Sequence, residues 1–176
     1  MKFNVNQQDI QKSLSYCQGV IEKRSTLPIL SNVMLDASNS KLTVVATDLD
    51  LIFINIVPNI EIIEEGKTTT SSSIMYDIVR KFSTGNKIQF SSISENKLHL
   101  ESDKSVFNLN CISANEFPLA NEDFNKNEFF INSKKLLKLL NKCKFSISND
   151  ETRHYLSGVF FHINQIEDKI FLTAAA

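Results

Sequence analysis

The 176-residue sequence predicts an α+β protein assembled from copies of one unit, a short strand followed by a helix and then by antiparallel strands. Three observations predict it. Apolar residues fall at helical spacing in three separate stretches, each opened by a β-prone segment. Between them lie short runs that alternate apolar and polar residues, the pattern of strands with one buried face. The same strand-opening tag also returns three times, as SKLTV, NKLHL and DKIFL.

In the first copy, Phe3-Asn4-Val5 is a short alternating strand. Asn6 is placed to cap the helix that follows, and Asp9 stands in its first turn beside the positive end of the dipole. Ile10, Leu14, Cys17 and Ile21, at i, i+4, i+7 and i+11, form one apolar stripe. Strands are expected at 29–35, from Lys41 onward and at about 50–57, with a polar turn at 36–40. The second copy opens with Lys67-Thr68-Thr69-Thr70. Its helix starts near Ser73, turns Ile74, Ile78 and Phe82 to one side and ends at Gly85-Asn86. Strands at 87–93, 97–102 and 104–112 follow, the last with Phe107, Leu109 and Cys111 facing in and Asn108 and Asn110 out. The third copy opens with Phe129-Phe130-Ile131 and is capped by Asn132 or Ser133. It carries Leu136, Leu140 and Cys143 along a helix at 132–145, before strands at 157–163 and 169–174. Two complete copies make one expected domain, 1–127, whose stretch from about 113 is a linker of low regularity. A second domain, 128–176, holds one copy without its last strand. A lone copy leaves its helix and sheet face uncovered, so 128–176 is not expected to be stable by itself.

With 42% hydrophobic residues, the chain has the material for a sizeable core. A net charge of -1 and a pI near 6.3 give no overall attraction to nucleic acid or anionic lipid. The charge is unevenly spread, however: 12 basic against 15 acidic residues up to position 127, and 7 against 5 beyond it. Cys17, Cys111 and Cys143 are widely spaced with no CxxC pair, which fits reduced and mostly buried thiols. No secretory signal follows Met1, and the most apolar stretch, 51–60, is far shorter than the ~20 residues that span a bilayer. A cytoplasmic protein without membrane contact is expected.

Enzyme motifs are absent or incomplete. Gly66-Lys67-Thr68 is similar to the end of a phosphate-binding loop, but the first glycine of such a loop would fall at 61, which is Glu61. Asp48 and Asp50 would share one face of a strand, as an acid/base or metal pair must, and they suit equally well a turn closed by side chain to backbone bonds. His99, His154 and His162 lack zinc-ligand spacing, and no nucleophile motif is present. No catalytic residue, metal site or cofactor is therefore expected. The clearer signal is cationic. Lys134, Lys138 and Lys142 are spaced by four with Lys135 beside them, about opposite the Leu136/Leu140/Cys143 stripe, and no acid lies between 129 and 149. An ordinary solvated helix face has the same pattern. Here it is followed by Arg153-His154-Tyr155, a guanidinium and two rings able to meet phosphate or stack on a base. Earlier, Glu22, Lys23 and Arg24 lead straight into Leu27-Pro28-Ile29-Leu30, so the chain passes there from a charged surface into a core.

Several blocks carry a wider resemblance: MKFNV at the start, RSTLPILSN at 24–32, ATDLD at 46–50, NEFP at 115–118, and FSIS at 145–148 through RHYLSG at 153–158. In this order and spacing the chain resembles the bacterial β sliding clamp family, the processivity factor of DNA polymerase III. The resemblance implies a DNA-clamp fold, with helices on the inner face of a ring, antiparallel sheets outside, and a head-to-tail homodimer at full length. It implies a non-catalytic subunit whose partner is double-stranded DNA, bound without sequence readout, with Arg24, Lys134, Lys138, Arg153, His154 and Tyr155 near the phosphates. Position 154 is histidine where many members carry an aromatic ring. The resemblance further implies that the DNA polymerase III catalytic subunit and the clamp loader dock short linear peptides in an apolar groove to which Leu156 belongs. Lys104, Phe107 and Leu109 would lie along the edge strand of the dimer. The family segment that completes the peptide groove would begin about where these residues end, and the third domain with which that edge strand would pair is not among them, so 176 residues are not expected to close a ring. The alternative is a truncated clamp-like interaction module that does not encircle DNA.

Overall fold

Lys2–Asn6 (β1) runs directly into the helix Gln7–Cys17 (α1), because the N-cap Asn6 keeps an extended backbone. Its side chain does not close the cap as the sequence suggested; it donates instead to the Asp9 carboxylate at 3.4 Å. Ile10, Leu14 and Cys17 are fully buried and Ile21 packs against them, so the stripe lies where its spacing put it. The structure is a computed structural model and describes residues 1–21, 27–119, 130–167 and 169–176.

A 3₁₀ turn, Pro28–Ser31, replaces the start of the strand expected at 29–35, since Pro28 has no N–H to give a sheet and its fixed φ suits the first position of a helical turn. The strands proper are Asn32–Ser38 (β2) and Lys41–Thr47 (β3), joined by Asn39-Ser40, both with positive φ, as a two-residue hairpin requires. Ile52–Val57 (β4) follows, then Glu61–Glu64 (β5), a strand absent from the sequence reading. Gly66–Ser71 (β6) leads into Ser72–Val79 (α2), and Lys87–Ser94 (β7), Lys97–Ser102 (β8) and Ser105–Ile112 (β9) complete the first unit. On α2 the buried residues are Ser72, Met75 and Val79, with Ile78 and Phe82 packed beside them. Ile74, expected on the buried face, is more than half exposed; the axis is turned so that Met75 and Val79, at i and i+4, point inward. The helix stops at Val79, so Gly85-Asn86 shapes the turn into β7 and not the helix end.

All described strand pairs are antiparallel, and the nine strands run in the order β4-β3-β2-β6-β9-β8-β7-β1-β5. The order shows how the two copies are joined. The opening strand of the first copy, β1, pairs with β7 of the second, and the opening strand of the second, β6, pairs with β2 of the first. Each copy thus completes the other's sheet. The helices lie antiparallel: the Gln7 amide, at the start of α1, donates to the Val79 carbonyl at 3.0 Å, and Gln18, just past its end, donates to Ser72 Oγ at 2.8 Å. One apolar cluster joins both helices to both halves of the sheet, with Phe3 stacked on Phe90 at 4.9 Å and Leu35, Leu42, Ile88, Leu98 and Leu100 fully buried around them. Each such side chain stabilises by roughly 1.5–3 kcal/mol. Two buried threonines on β6 are satisfied: Thr69 Oγ1 donates to the Ile112 carbonyl at 2.7 Å, and Thr70 Oγ1 to that of Asn110 at 2.9 Å. The stretch read as an irregular linker begins with a packed element instead. A 3₁₀ turn, Ala114–Glu116, delivers Phe117 onto Met34 and Val45 on the other side of the sheet.

Contacts divide the chain into two units, Met1–Asn121 and Glu122–Ala176. The second contains the helix Ser133–Cys143 (α3) and the hairpin Phe160–Ile166 (β10) and Lys169–Ala175 (β11). Phe130 and Ile131 are not in a strand, and Phe129 lies outside the described residues. The strand expected from 157 starts at Phe160 because Glu151–Leu156 is wound into 3₁₀ turns. Ile163 and Ile170, on the same face as Leu172, are each more than 60% exposed, so that face of the hairpin is apolar and uncovered. No described helix is long and apolar enough to cross a membrane.

Candidate nucleic-acid interface

Asn132 begins α3 by accepting the backbone N–H groups of Lys134 and Lys135 at 3.1 and 3.3 Å, which satisfies two of the donors a helix start leaves open. Leu136, Leu140 and Cys143 form its half-buried face, joined by Leu139, and the Cys143 thiol donates to the Ala174 carbonyl at 3.4 Å, fastening the helix to β11. Lys134, Lys135, Lys138 and Lys142 are all exposed. Their placement runs against local preference. Cations in the first turn meet the positive end of the dipole, and like charges at i, i+4 oppose each other by about 0.2–0.5 kcal/mol per pair. Only Lys142, in the last turn, is favoured by the dipole.

In the same unit, the loop from Ser148 to Leu156 is closed by the Ser148 N–H donating to the Leu156 carbonyl at 3.0 Å. Within it Asp150 is the hub. Its Oδ1 accepts from the Thr152 N–H at 3.0 Å and the Thr152 hydroxyl at 2.6 Å, and its Oδ2 accepts from Arg153 Nε at 2.9 Å. The Thr152 hydroxyl and amide, and then the Arg153 guanidinium, hold the Asp150 carboxyl below the usual carboxylate range. Arg153 and Tyr155 are strongly exposed, at 60% and 75%. The His154 side chain and all of Arg24 lie outside what is described. Leu156 is partly exposed at 44%.

The remaining sequence candidates fall elsewhere. Lys104 is exposed in the β8–β9 turn. Phe107, expected to face in, is 39% exposed and meets Phe82 edge-on at 5.8 Å; among the described residues the first half of β9 has only β8 beside it, whereas Leu109 and Cys111 reach the core. Gly66-Lys67-Thr68 is strand, paired to β2, with Lys67 bound to Asp36 at 2.8 Å, so it is not a phosphate loop. Asp48 takes its turn role, with Oδ1 accepting the N–H groups of Asp50 and Leu51 at 3.1 and 2.7 Å. Among the described residues no cluster of three or more His, Cys, Asp or Glu could hold a metal. Two hollows were not foreseen, because both are made by residues far apart in the chain. One, of about 630 Å³, is lined by Met34, Lys67, Thr68, Glu95, Asn115 and Phe117; the other, of about 250 Å³, by Phe130, Ile131, Ile163, Ile170 and Leu172.

Residues 1–121 match the family model of the DNA polymerase III beta subunit, N-terminal domain. The β sliding clamp of Caulobacter vibrioides is 34% identical over 171 residues, covering 92% of this chain and 44% of that protein. That of Escherichia coli K12 is 30% identical over 161 residues, with 92% and 44% covered. Among solved structures, the Caulobacter crescentus pol III beta superposes with a TM-score of 0.91 at 33% identity, covering 99% of this chain and 46% of the other. A Bartonella birtlesii sliding clamp bound to griselimycin gives 0.88 at 37% identity, with 98% and 45% covered. The chain spans less than half the length of these relatives. With its α+β fold of antiparallel strands and paired helices, and with the family match running over residues 1–121, the chain belongs to the β sliding clamp family, the beta subunit of DNA polymerase III.

Proposed function

We propose that this chain contributes to a ring that encircles duplex DNA without reading its sequence and tethers the replicative polymerase, acting in the cytoplasm and without catalysis of its own. The observation that carries this reading is α3, a helix whose exposed face holds four lysines, of which only Lys142 is placed where the dipole favours it. Such a face is repaid by phosphates, and contacts confined to phosphate carry no sequence information. In this reading 1–127 is the N-terminal clamp domain and 128–176 the first part of the central one. The first half of β9, with Lys104 and Phe107, is the edge offered to a second copy, and Leu156 belongs to the groove that takes linear peptides of the polymerase and clamp loader. Free thiols at Cys17, Cys111 and Cys143 suit a reducing compartment.

The test is fluorescence anisotropy of two unrelated labelled duplexes with the 176-residue chain across a salt series. Expected is weak binding, equal for both sequences, that falls with salt; each lysine in contact with phosphate contributes about -0.9 to the slope of log K against log salt. Replacing Lys134 and Lys138 together by alanine should flatten that slope by roughly 1.8. No binding at low salt, or a slope unmoved by the double substitution, overturns the reading.

A further inference from the structure

We infer that Asp150 restrains Arg153, holding its guanidinium in an intramolecular pair that a DNA phosphate must share or displace. The inference rests on the reading of the Arg153 loop as DNA-facing. The geometry that carries it is the division of one carboxylate between two tasks. Oδ1 is taken up by Thr152, whose N–H and hydroxyl fix the turn, and Oδ2 is left to Arg153 Nε at 2.9 Å. The Asp150 N–H is itself spent on Ser148 Oγ at 3.1 Å, and the Arg153 N–H on the Asp150 carbonyl at 3.0 Å, so backbone and side chain both hold the two residues together. Nε is therefore occupied by an anion before any phosphate arrives, and the carboxylate adds a like charge within a few ångströms of where a phosphate would bind. The same device recurs on α2, where Asp77 sits three residues before Arg80 and binds it at 3.0 Å. Both arginines among the described residues are thus held by an aspartate one helical step upstream.

Asp150→Asn tests this cleanly, because asparagine keeps the oxygen that Thr152 needs and loses only the acceptor and charge facing Arg153. Duplex affinity of the 176-residue chain at low salt should rise by about two- to five-fold, with the gain fading as salt is added. In an Arg153→Ala background the same substitution should gain much less. No gain, a loss of affinity, or an equal gain in both backgrounds overturns the inference, the last because Asp150 would then act on DNA directly. A DNA-free arm separates this from failure of the underlying reading. The Arg153 Nε–H should exchange slowly in the unsubstituted chain and faster in Asp150→Asn; equal exchange rules out the restraint even if neither protein binds DNA.

Discussion

Gly66→Ala probes the place where the two copies meet. Gly66 opens β6 with φ at +156°, and a Cβ built there would lie 2.9 Å from Met1 Cβ and 3.3 Å from both its Cα and its N. Met1 has little freedom to withdraw. Its carbonyl accepts from the Ser92 N–H at 2.9 Å, its amino group pairs with Glu64 at 3.2 Å, and the residue is only 8% exposed. Backbone strain at this φ costs about 1 kcal/mol, and forcing a methyl into a packed contact costs a further 1–3 kcal/mol, which together give roughly 2–4 kcal/mol. The assay is urea unfolding followed by far-UV circular dichroism, with a lowered midpoint at unchanged m. Gly85→Ala is the control: φ there is +90°, yet nothing lies within 4 Å of the added carbon, so it should cost only the strain, about 1 kcal/mol. If Gly66→Ala costs no more than Gly85→Ala, the close approach of Met1 to β6 is wrong, and with it the joint between β1 and the second copy.

Two further outcomes follow from buried groups and caps. Burial pushes the Cys17 thiol up to about 12 and also raises Cys111, while unfolded thiols ionise near 9.0. Between those values the unfolded chain sheds protons that the folded chain keeps, so stability should fall as pH rises from 9 toward 12, by roughly 1 kcal/mol at pH 10 for Cys17; a urea midpoint independent of pH over that window, or one unchanged by Cys17→Ala, contradicts this. Asn132→Ala should cost α3 about 1 kcal/mol, read as faster hydrogen exchange at the Lys134 and Lys135 amides, whereas Asn132→Asp should retain the cap and add a favourable charge; equal protection in all three proteins would show that the cap does not hold the helix.

The sequence was most legible where one period decided the outcome. The α1 stripe and the lysines at 134, 138 and 142 on α3 are fixed by 3.6-residue periodicity, and the strands that start at Lys41, Lys97 and Lys169 by alternation and turn chemistry. It was least legible where distant residues decide. β5 exists because β1 offers it an edge, Phe117 is buried because Met34 and Val45 await it across the sheet, and Met75 displaces Ile74 from the core because α2 is rotated by its contacts with α1. At the candidate interface, helical spacing exposed the lysine face. Nothing in the sequence reading marked Asp150 as the partner of Arg153, although three residues separate them, because the pairing depends on Thr152 folding the turn first.

The choice of cations bears on how such a surface would meet DNA. A guanidinium binds phosphate bidentately in a fixed plane and so favours one register, while a lysine ammonium is a mobile point charge on a flexible stem that passes from one phosphate to the next without a preferred geometry. On α3 every cation is a lysine, and both described arginines, Arg80 and Arg153, are held by an aspartate three residues upstream. In the proposed reading the directional contact of Arg153 is held back while the weak isotropic contacts of α3 are kept. In the proposed function retention comes from encirclement, so affinity that fixed a register would only add friction. Releasing Arg153 through Asp150→Asn should therefore slow diffusion along the duplex as well as tighten binding, and a released variant that binds more tightly yet slides as fast would separate affinity from friction in this family.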